Sequence, residues 1–347
     1  MKGRAIAMEP RPDGEGQMAA LMVDGRLHDL LIDPPDDRLR PGQIWRGLPD
    51  RPMKGMGGVM VRLGQGRTAF LKEAKGIAPG QPVLIQITGH AEPGKAPPAT
   101  RRLVFKSRYA IATPDAEGVN VSRAIRDDDQ RAELARLCGD LTGQGEGLVI
   151  RTAARHADHD TVVEDAERVL DLARTVLADP GREAELLLDA PDAATTAWME
   201  WSDPEAEVID EGPGAFERHG VWEAIDALKG PVVPLSGSAS MAVEPTRALI
   251  AVDVNTGGET GPAAALRVNT EALRALPSAL RLRGLAGQVV VDLAPVAKKD
   301  RARLESVLKA ALKADPVSTT FLGWTPLGHI ELRRRRERLP LREVLPK

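Results

Sequence analysis

A single cysteine, Cys138, stands in the 347 residues. One thiol excludes an intrachain disulfide framework, and it excludes a zinc site built from several thiolates of one chain. No apolar stretch approaches the ~18 residues of a membrane span. Neither sign of charge dominates: 47 Lys and Arg face 50 Asp and Glu, a formal net charge of −3. That balance argues against a wholesale nucleic-acid coat and confines any phosphate-binding surface to a patch. The opening Met1-Lys2-Gly3-Arg4 leads into a short mixed run and then charges and prolines, so no signal peptide is expected. Missing as well are a Gly-x-x-x-x-Gly-Lys loop, a dinucleotide fingerprint, a nucleophile elbow and any internal repeat. What remains is globular composition, 28% charged and 42% hydrophobic. The length suits two or three domains, and a soluble, cytoplasmic protein is expected.

Prolines (27) and glycines (33) are spread along the chain, which favours short elements and many turns over a helical bundle. Asp24-Gly25 between apolar runs is the pair that a tight hairpin turn wants, and Pro34-Pro35 opens a linker. From Pro41 to about Thr100 short strand candidates alternate with Gly/Pro turns, the pattern of a small barrel of the OB type. A mixed α/β region follows. There Thr161–Leu177 repeats apolar residues at helical spacing, and Gly147–Thr152 reads as a short strand ending in a basic residue. In the last third Arg247–Val252 and Gln288–Val291 are continuous apolar runs, as expected of strands covered on both faces. Between them Ala263–Arg283 reads as one helix, either continuous or broken near Pro277, which completes a β-α-β unit.

Both of those strands end in aspartate, Asp253 and Asp292. Strand alternation puts Asn255 on the face of Asp253. If the strands are neighbours, two carboxylates and an amide oxygen converge at their carboxyl ends, where open α/β sheets bind ligands. Such a hard-oxygen site suits Mg²⁺, with Mn²⁺ as a substitute. The same spacing also suits aspartates that cap a turn or a following helix, and on spacing alone that reading stands beside the first. The run Arg333–Arg336 is by default a solvated face; next to a metal site it becomes a phosphate clamp. Arg151-Thr152 offers charge and hydroxyl to a terminal phosphate, or else an edge salt bridge. His156 and His159 have loose metal-ligand spacing but no third protein ligand nearby. Cys138 reads as a small buried hydrophobe.

Taken in order, several stretches resemble the ribonuclease E/G family. They are Leu21–Leu30, Gly42–Gly47 through Gly66–Leu71, Val121–Ile125, Gly147–Ala153, Ala248–Gly257, Asn269–Glu271, Leu280–Asp292 and Leu327–Arg336. The resemblance implies an α+β multidomain fold. An RNase-H-like subdomain would comprise residues 1–40 and 185–228. An OB-fold RNA-binding domain (41–105) and a 5′-sensor region (106–184) would be inserted in it, with a DNase-I-like α/β catalytic subdomain (229–347) after it. It implies a Mg²⁺-dependent endoribonuclease of single-stranded RNA that leaves 5′-phosphate and 3′-hydroxyl ends. Asp253 and Asp292 would hold the metal, with Asn255 orienting the site. Ile111, Arg123, Arg151 and Thr152 would meet a 5′-monophosphate; Phe70, Lys95, Arg334 and Arg336 would contact RNA.

Some positions depart from the family pattern. The cysteine motif that links protomers through zinc is absent, so neither zinc nor a zinc-linked oligomer is expected. Pro295 stands where a further acid is usual, Ser318 where an arginine is, Met60 in place of an aromatic, and Ala124 and Ser107 replace sensor residues. A weakly active or inactive RNA-binding relative is therefore the alternative to the nuclease.

Overall fold

The computed structural model describes residues 3–345 apart from 54, 56, 73, 74 and 260. Its first sheet is built on β1 (Arg4–Pro10), which pairs antiparallel with β2 (Gln17–Val23), and β2 with β3 (Arg26–Ile32). Asp24 and Gly25 take φ of 50° and 73°, as the two-residue turn between β2 and β3 requires. Far later in the chain β14 (Val208–Glu211) joins β1 in parallel. Alternate residues of β1 and β2 enter different cores. Ala5, Ala7, Met18 and Ala20 pack with Phe216, Val221 and Ile225, while Ile6, Met8, Ala19 and Leu21 pack with Ala197 and Trp201. The first group meets α4 (Ala215–Arg218) and α5 (Val221–Lys229), the second α3 (Ala193–Glu200). Burial on both faces explains why these strands are apolar without alternation.

Strands β4 (Ile44–Pro49), β5 (Val59–Gly64), β6 (Arg67–Leu71), β7 (Val83–Ile87) and β8 (Pro98–Thr100) close into a five-stranded barrel in the order 4-5-6-8-7-4. Trp45, Val59, Val61, Leu63, Ala69, Leu71, Ile85 and Ile87 fill it. Strand β13 (Glu185–Leu188) pairs with β4 outside the closed ring, so that segment lies with the barrel rather than with the first sheet. A third sheet has the order β11 (Gly118–Val121), β12 (Gly147–Ile150), β10 (Ala110–Ala112), β9 (Phe105–Lys106). The long α2 (His159–Leu177), N-capped by Asp158, packs on it through Val162, Ala166, Val169, Leu170, Ala173 and Val176. The shorter α1 (Asp128–Leu137) begins at the cap Asp127, whose side chain accepts from the Asp129 and Gln130 N–H groups. Cys138 is fully buried in this core, and burial pushes its thiol up.

The last sheet runs β15 (Val232–Pro234), β16 (Ser240–Pro245), β17 (Ile250–Asn255), β18 (Gly287–Asp292), β20 (Ile330–Arg334), β19 (Thr319–Trp324). The expectation of strands covered on both faces is corrected here. Val252, Val254, Val289 and Val291 join one core with Val268, Leu273 and Leu276 of α6 (Pro262–Leu282) and Leu304 and Leu308 of α7 (Arg301–Ala314). The alternate residues Asp253, Asn255, Gln288, Asp292, Glu331 and Arg333 are exposed. Helices thus cover one face, and the polar face is open.

Between β17 and β18 α6 is the single helix expected, and it runs unbroken through Pro277. Leu273, Leu276 and Leu280, on both sides of the proline, are fully buried in the same core, and that packing outweighs the lost backbone hydrogen bond. The helix ends at Gly284, where φ is +63° and an added Cβ would lie 1.8 Å from the Leu339 oxygen.

Candidate active site

β17 and β18 are parallel neighbours, with Val252 opposite Val291 and Asp253 opposite Asp292. Adjacent strands lie about 4.8 Å apart, so the two carboxylates rise side by side from the open face at the strands' carboxyl ends. Beneath them the valine pair is buried against α6. Asn255 lies one row further along the same face, opposite Ser240 of β16. Its Oδ1 accepts from the Gly257 N–H at 2.8 Å, which leaves the Nδ2 hydrogens as the group able to donate to a phosphate oxygen.

Two further residues brace this pair. The chain just past Asp292 is clamped by Asn269, a fully buried residue of α6. Its Nδ2 donates to the Ala294 oxygen at 2.9 Å and its Oδ1 accepts from the Ala294 N–H at 3.0 Å. From the turn between β19 and β20, His329 Nδ1 lies 3.1 Å from Asp292 Oδ1. That turn is closed by Thr325, whose N–H donates to the His329 oxygen and whose Oγ1 accepts from the His329 N–H.

The donor set is oxygen-rich and exposed, chemistry that fits a hard divalent cation. Among the described residues no three His, Cys, Asp or Glu side chains form a metal-enclosing group. A cation on Asp253 and Asp292 would complete its shell with water or substrate oxygens, the usual habit of Mg²⁺. Pro295, exposed beyond Ala294, adds no carboxylate.

Arg151 follows β12. Its backbone N–H donates to the Tyr109 oxygen and its Nη1 to the Ser107 oxygen, both at 2.7 Å. Thr152 Oγ1 and Ser122 Oγ are 2.9 Å apart, beside the exposed Arg123. Ile111 of β10 pairs with Val149 of β12, on the face that Arg151 continues. The third sheet therefore gathers these four residues near one end. On the barrel, the half-buried Phe70 lies across Gly58, where a Cβ would come within 2.4 Å of its ring. Lys95 is exposed and paired with Glu92 at 2.6 Å.

The description "Ribonuclease E/G family" fits residues 104–210 and 198–337 of this chain, about two thirds of its length. The chain belongs to the ribonuclease E/G family. It is 26% identical to ribonuclease E of Nostoc sp., an alignment covering 92% of this chain and 54% of that protein. It is 27% identical to ribonuclease G of Escherichia coli K12, over 94% of this chain and 79% of the relative. Ribonuclease G of Haemophilus influenzae is 26% identical, with 94% and 78% covered. The chain thus spans about half the length of the ribonuclease E relatives.

One site assignment drawn from the ribonuclease E/G resemblance is corrected by the structure. Arg334 is buried, its side chain 1% exposed, and bonded to Asp315 Oδ1 at 3.0 Å and Thr319 Oγ1 at 2.7 Å. It cannot reach RNA. Arg281 also pairs with Asp315, and reaches Asp29 of the first sheet at 3.2 Å; Arg338 holds Asp29 at 2.7 and 3.0 Å. Burial alone would raise the Asp29 carboxyl, but Arg338 and Arg281 hold it below the ordinary range. The arginine run is therefore partly a buried fastening between the last sheet, α6 and the first sheet. Arg336 is half-buried at the barrel, its carbonyl accepting from the His90 N–H at 2.7 Å.

Sequence reasoning gave no role to His329 or Asn269. A polar residue at a core position of the apolar stripe, between Leu266 and Leu273, was the available signal for Asn269. Nothing in the spacing marked His329, because its contact is 37 residues away.

Proposed function

We propose that this chain is an endoribonuclease that hydrolyses phosphodiester bonds of single-stranded RNA with Mg²⁺ and leaves 5′-phosphate and 3′-hydroxyl ends. One observation carries the proposal: Asp253 and Asp292 are paired in register on an open sheet face, with an asparagine amide on the same face. Membership of a family whose matched relatives bear the name ribonuclease supports it.

Asp253 and Asp292 would hold the cation, which when bound acidifies water and offsets charge developing on the phosphate. The chain's own residues supply the rest. His329 and Asn269 keep Asp292 and the following loop in place, and Asn255 donates to the scissile phosphate. Phe70 stacks a base on the barrel, while Lys95 and Arg336 add charge along the RNA. Arg151, Thr152, Arg123 and Ile111 receive a 5′-terminal monophosphate. In this reading the first sheet is the RNase-H-like subdomain, the last sheet with α6 and α7 is DNase-I-like, and the protein works in the cytoplasm. Among the described residues no helix is long and apolar enough to cross a membrane.

Product ends test the reaction. With Mg²⁺ and an A/U-rich single-stranded RNA, the new fragments should carry 5′-phosphates that ligate directly and 3′-hydroxyls that a polymerase extends. Fragments ending in 2′,3′-cyclic phosphate would rule out attack by water and with it this assignment.

A further inference from the structure

The cations at the 5′-end site already have an anion. Glu200, the last residue of α3, places Oε2 2.5 Å from Arg151 Nη2 and Oε1 3.5 Å from Lys106 Nζ. Both partners remain accessible, with side-chain exposures of 16% for Arg151 and 34% for Glu200. The guanidinium is held in place from behind by Nη1 on the Ser107 oxygen, so its Nη2 edge is the one that offers itself to a ligand. Glu200 sits on that edge.

α3 is firmly seated there. Ala197 and Trp201 anchor it on the first sheet, and the Arg108 guanidinium lies over the ring of its exposed Trp198, 4.5 Å from the centroid. Arg108 belongs to the turn whose flanking residues, Ser107 and Tyr109, both bond Arg151. The backbone that carries the carboxylate is thus held beside Arg151 by a seated helix end.

A carboxylate bridging a guanidinium and an ammonium uses the donors that a terminal phosphate would use. A phosphate monoester carries about −1.5 to −2 charge against the carboxylate's −1, so it can displace Glu200, but only in competition. We infer that Glu200 is a specificity-determining residue of the 5′-end site, an internal anion that occupies Arg151 and Lys106 and must be displaced before a 5′-monophosphate is bound. The inference rests on the reading of Arg151 as the 5′-phosphate contact. The apparent affinity for 5′-monophosphorylated RNA is lowered by the fraction of sites that Glu200 fills.

The test is binding, without Mg²⁺, of one short single-stranded RNA carrying either a 5′-monophosphate or a 5′-hydroxyl, read by fluorescence anisotropy. Glu200→Gln should tighten binding of the monophosphorylated RNA about three- to tenfold, as a partly exposed ion pair allows, and leave the 5′-hydroxyl RNA within about twofold. The double variant R151A/E200Q should lose that gain. Equal tightening of both RNAs would reduce Glu200 to a bulk charge and overturn the inference, as would an unchanged preference for the monophosphate. If neither parent nor E200Q distinguishes the two RNAs, the 5′-end reading of Arg151 fails as well.

Discussion

The Nδ1 of His329 lies 3.1 Å from Oδ1 of Asp292, tying the turn before β20 to the acidic end of β18. The contact holds one carboxylate of the proposed cation site at a set angle, as outer hydrogen bonds around ligating groups commonly do. His329→Ala should lower kcat for RNA cleavage by about 10- to 100-fold with KM little changed. His329→Asn, which can still donate, should restore part of the loss. Steady-state kinetics on one RNA checks this, and a fall confined to KM would contradict it.

Asn269 acts one step further back. Its amide makes two reciprocal bonds to Ala294 in a fully buried setting. Asn269→Leu would leave the Ala294 N–H and C=O without partners, at a cost of about 2–4 kcal/mol. Urea denaturation should show that loss. Activity per folded molecule should fall too, because the loop after Asp292 is no longer clamped.

Arg334 separates a fastening from an RNA contact. Asp315 holds both Arg334 and Arg281 in the interior. Asp315→Asn should destabilise the fold by about 3–5 kcal/mol, because buried charges then lack a counterion. Arg334→Met should also lower stability, while the salt dependence of RNA binding stays as in the parent. A slope shallower by about one would instead mark Arg334 as a phosphate contact.

Acid should weaken the fold before the carboxylates titrate. Burial, then the neighbouring Arg38 and Arg336, lower the pKa of His90 to about 4, and its Nδ1 is buried without a hydrogen-bond partner. An unfolded imidazole titrates near ~6.5, so between these values the unfolded chain binds the extra proton. The contribution is complete above pH ~6.5 and is lost as pH falls toward 4, amounting to about 3 kcal/mol. Glu146, held down to about 2 by Arg174, acts at lower pH. Denaturation from pH 7 to 4 should show the fall, and His90→Gln should flatten it.

Local patterns carried much of the fold. The Asp24-Gly25 turn, the barrel's short strands, the α2 periodicity and the paired strand-end aspartates all depend on neighbours within a few residues. What escaped depends on distant chain. The first strand, Arg4–Pro10, is apolar only because helices from residues 193–229 cover its two faces. Valine runs in β17 and β18 suggested burial on both sides, yet Ala251 and Val290 lie on the half-open face. Arg334 looked like its exposed neighbour Arg333 because strand alternation is invisible in a run of identical residues. Within the candidate site, the aspartates could be found from strand ends, whereas Glu200 and His329 reach their partners across 49 and 37 residues.

In the proposed reaction Asp253 and Asp292 together hold the cation that RNA cleavage requires. The direct measurement is cleavage of a 5′-monophosphorylated, A/U-rich single-stranded RNA with and without Mg²⁺, beside Asp253→Asn and Asp292→Asn purified identically. Magnesium-dependent cutting is expected in the parent and a loss of more than about 10²-fold in each variant, with RNA binding and melting temperature kept because both carboxylates are exposed. Tight RNA binding with no cutting in the parent, or cutting that survives either substitution, would contradict it.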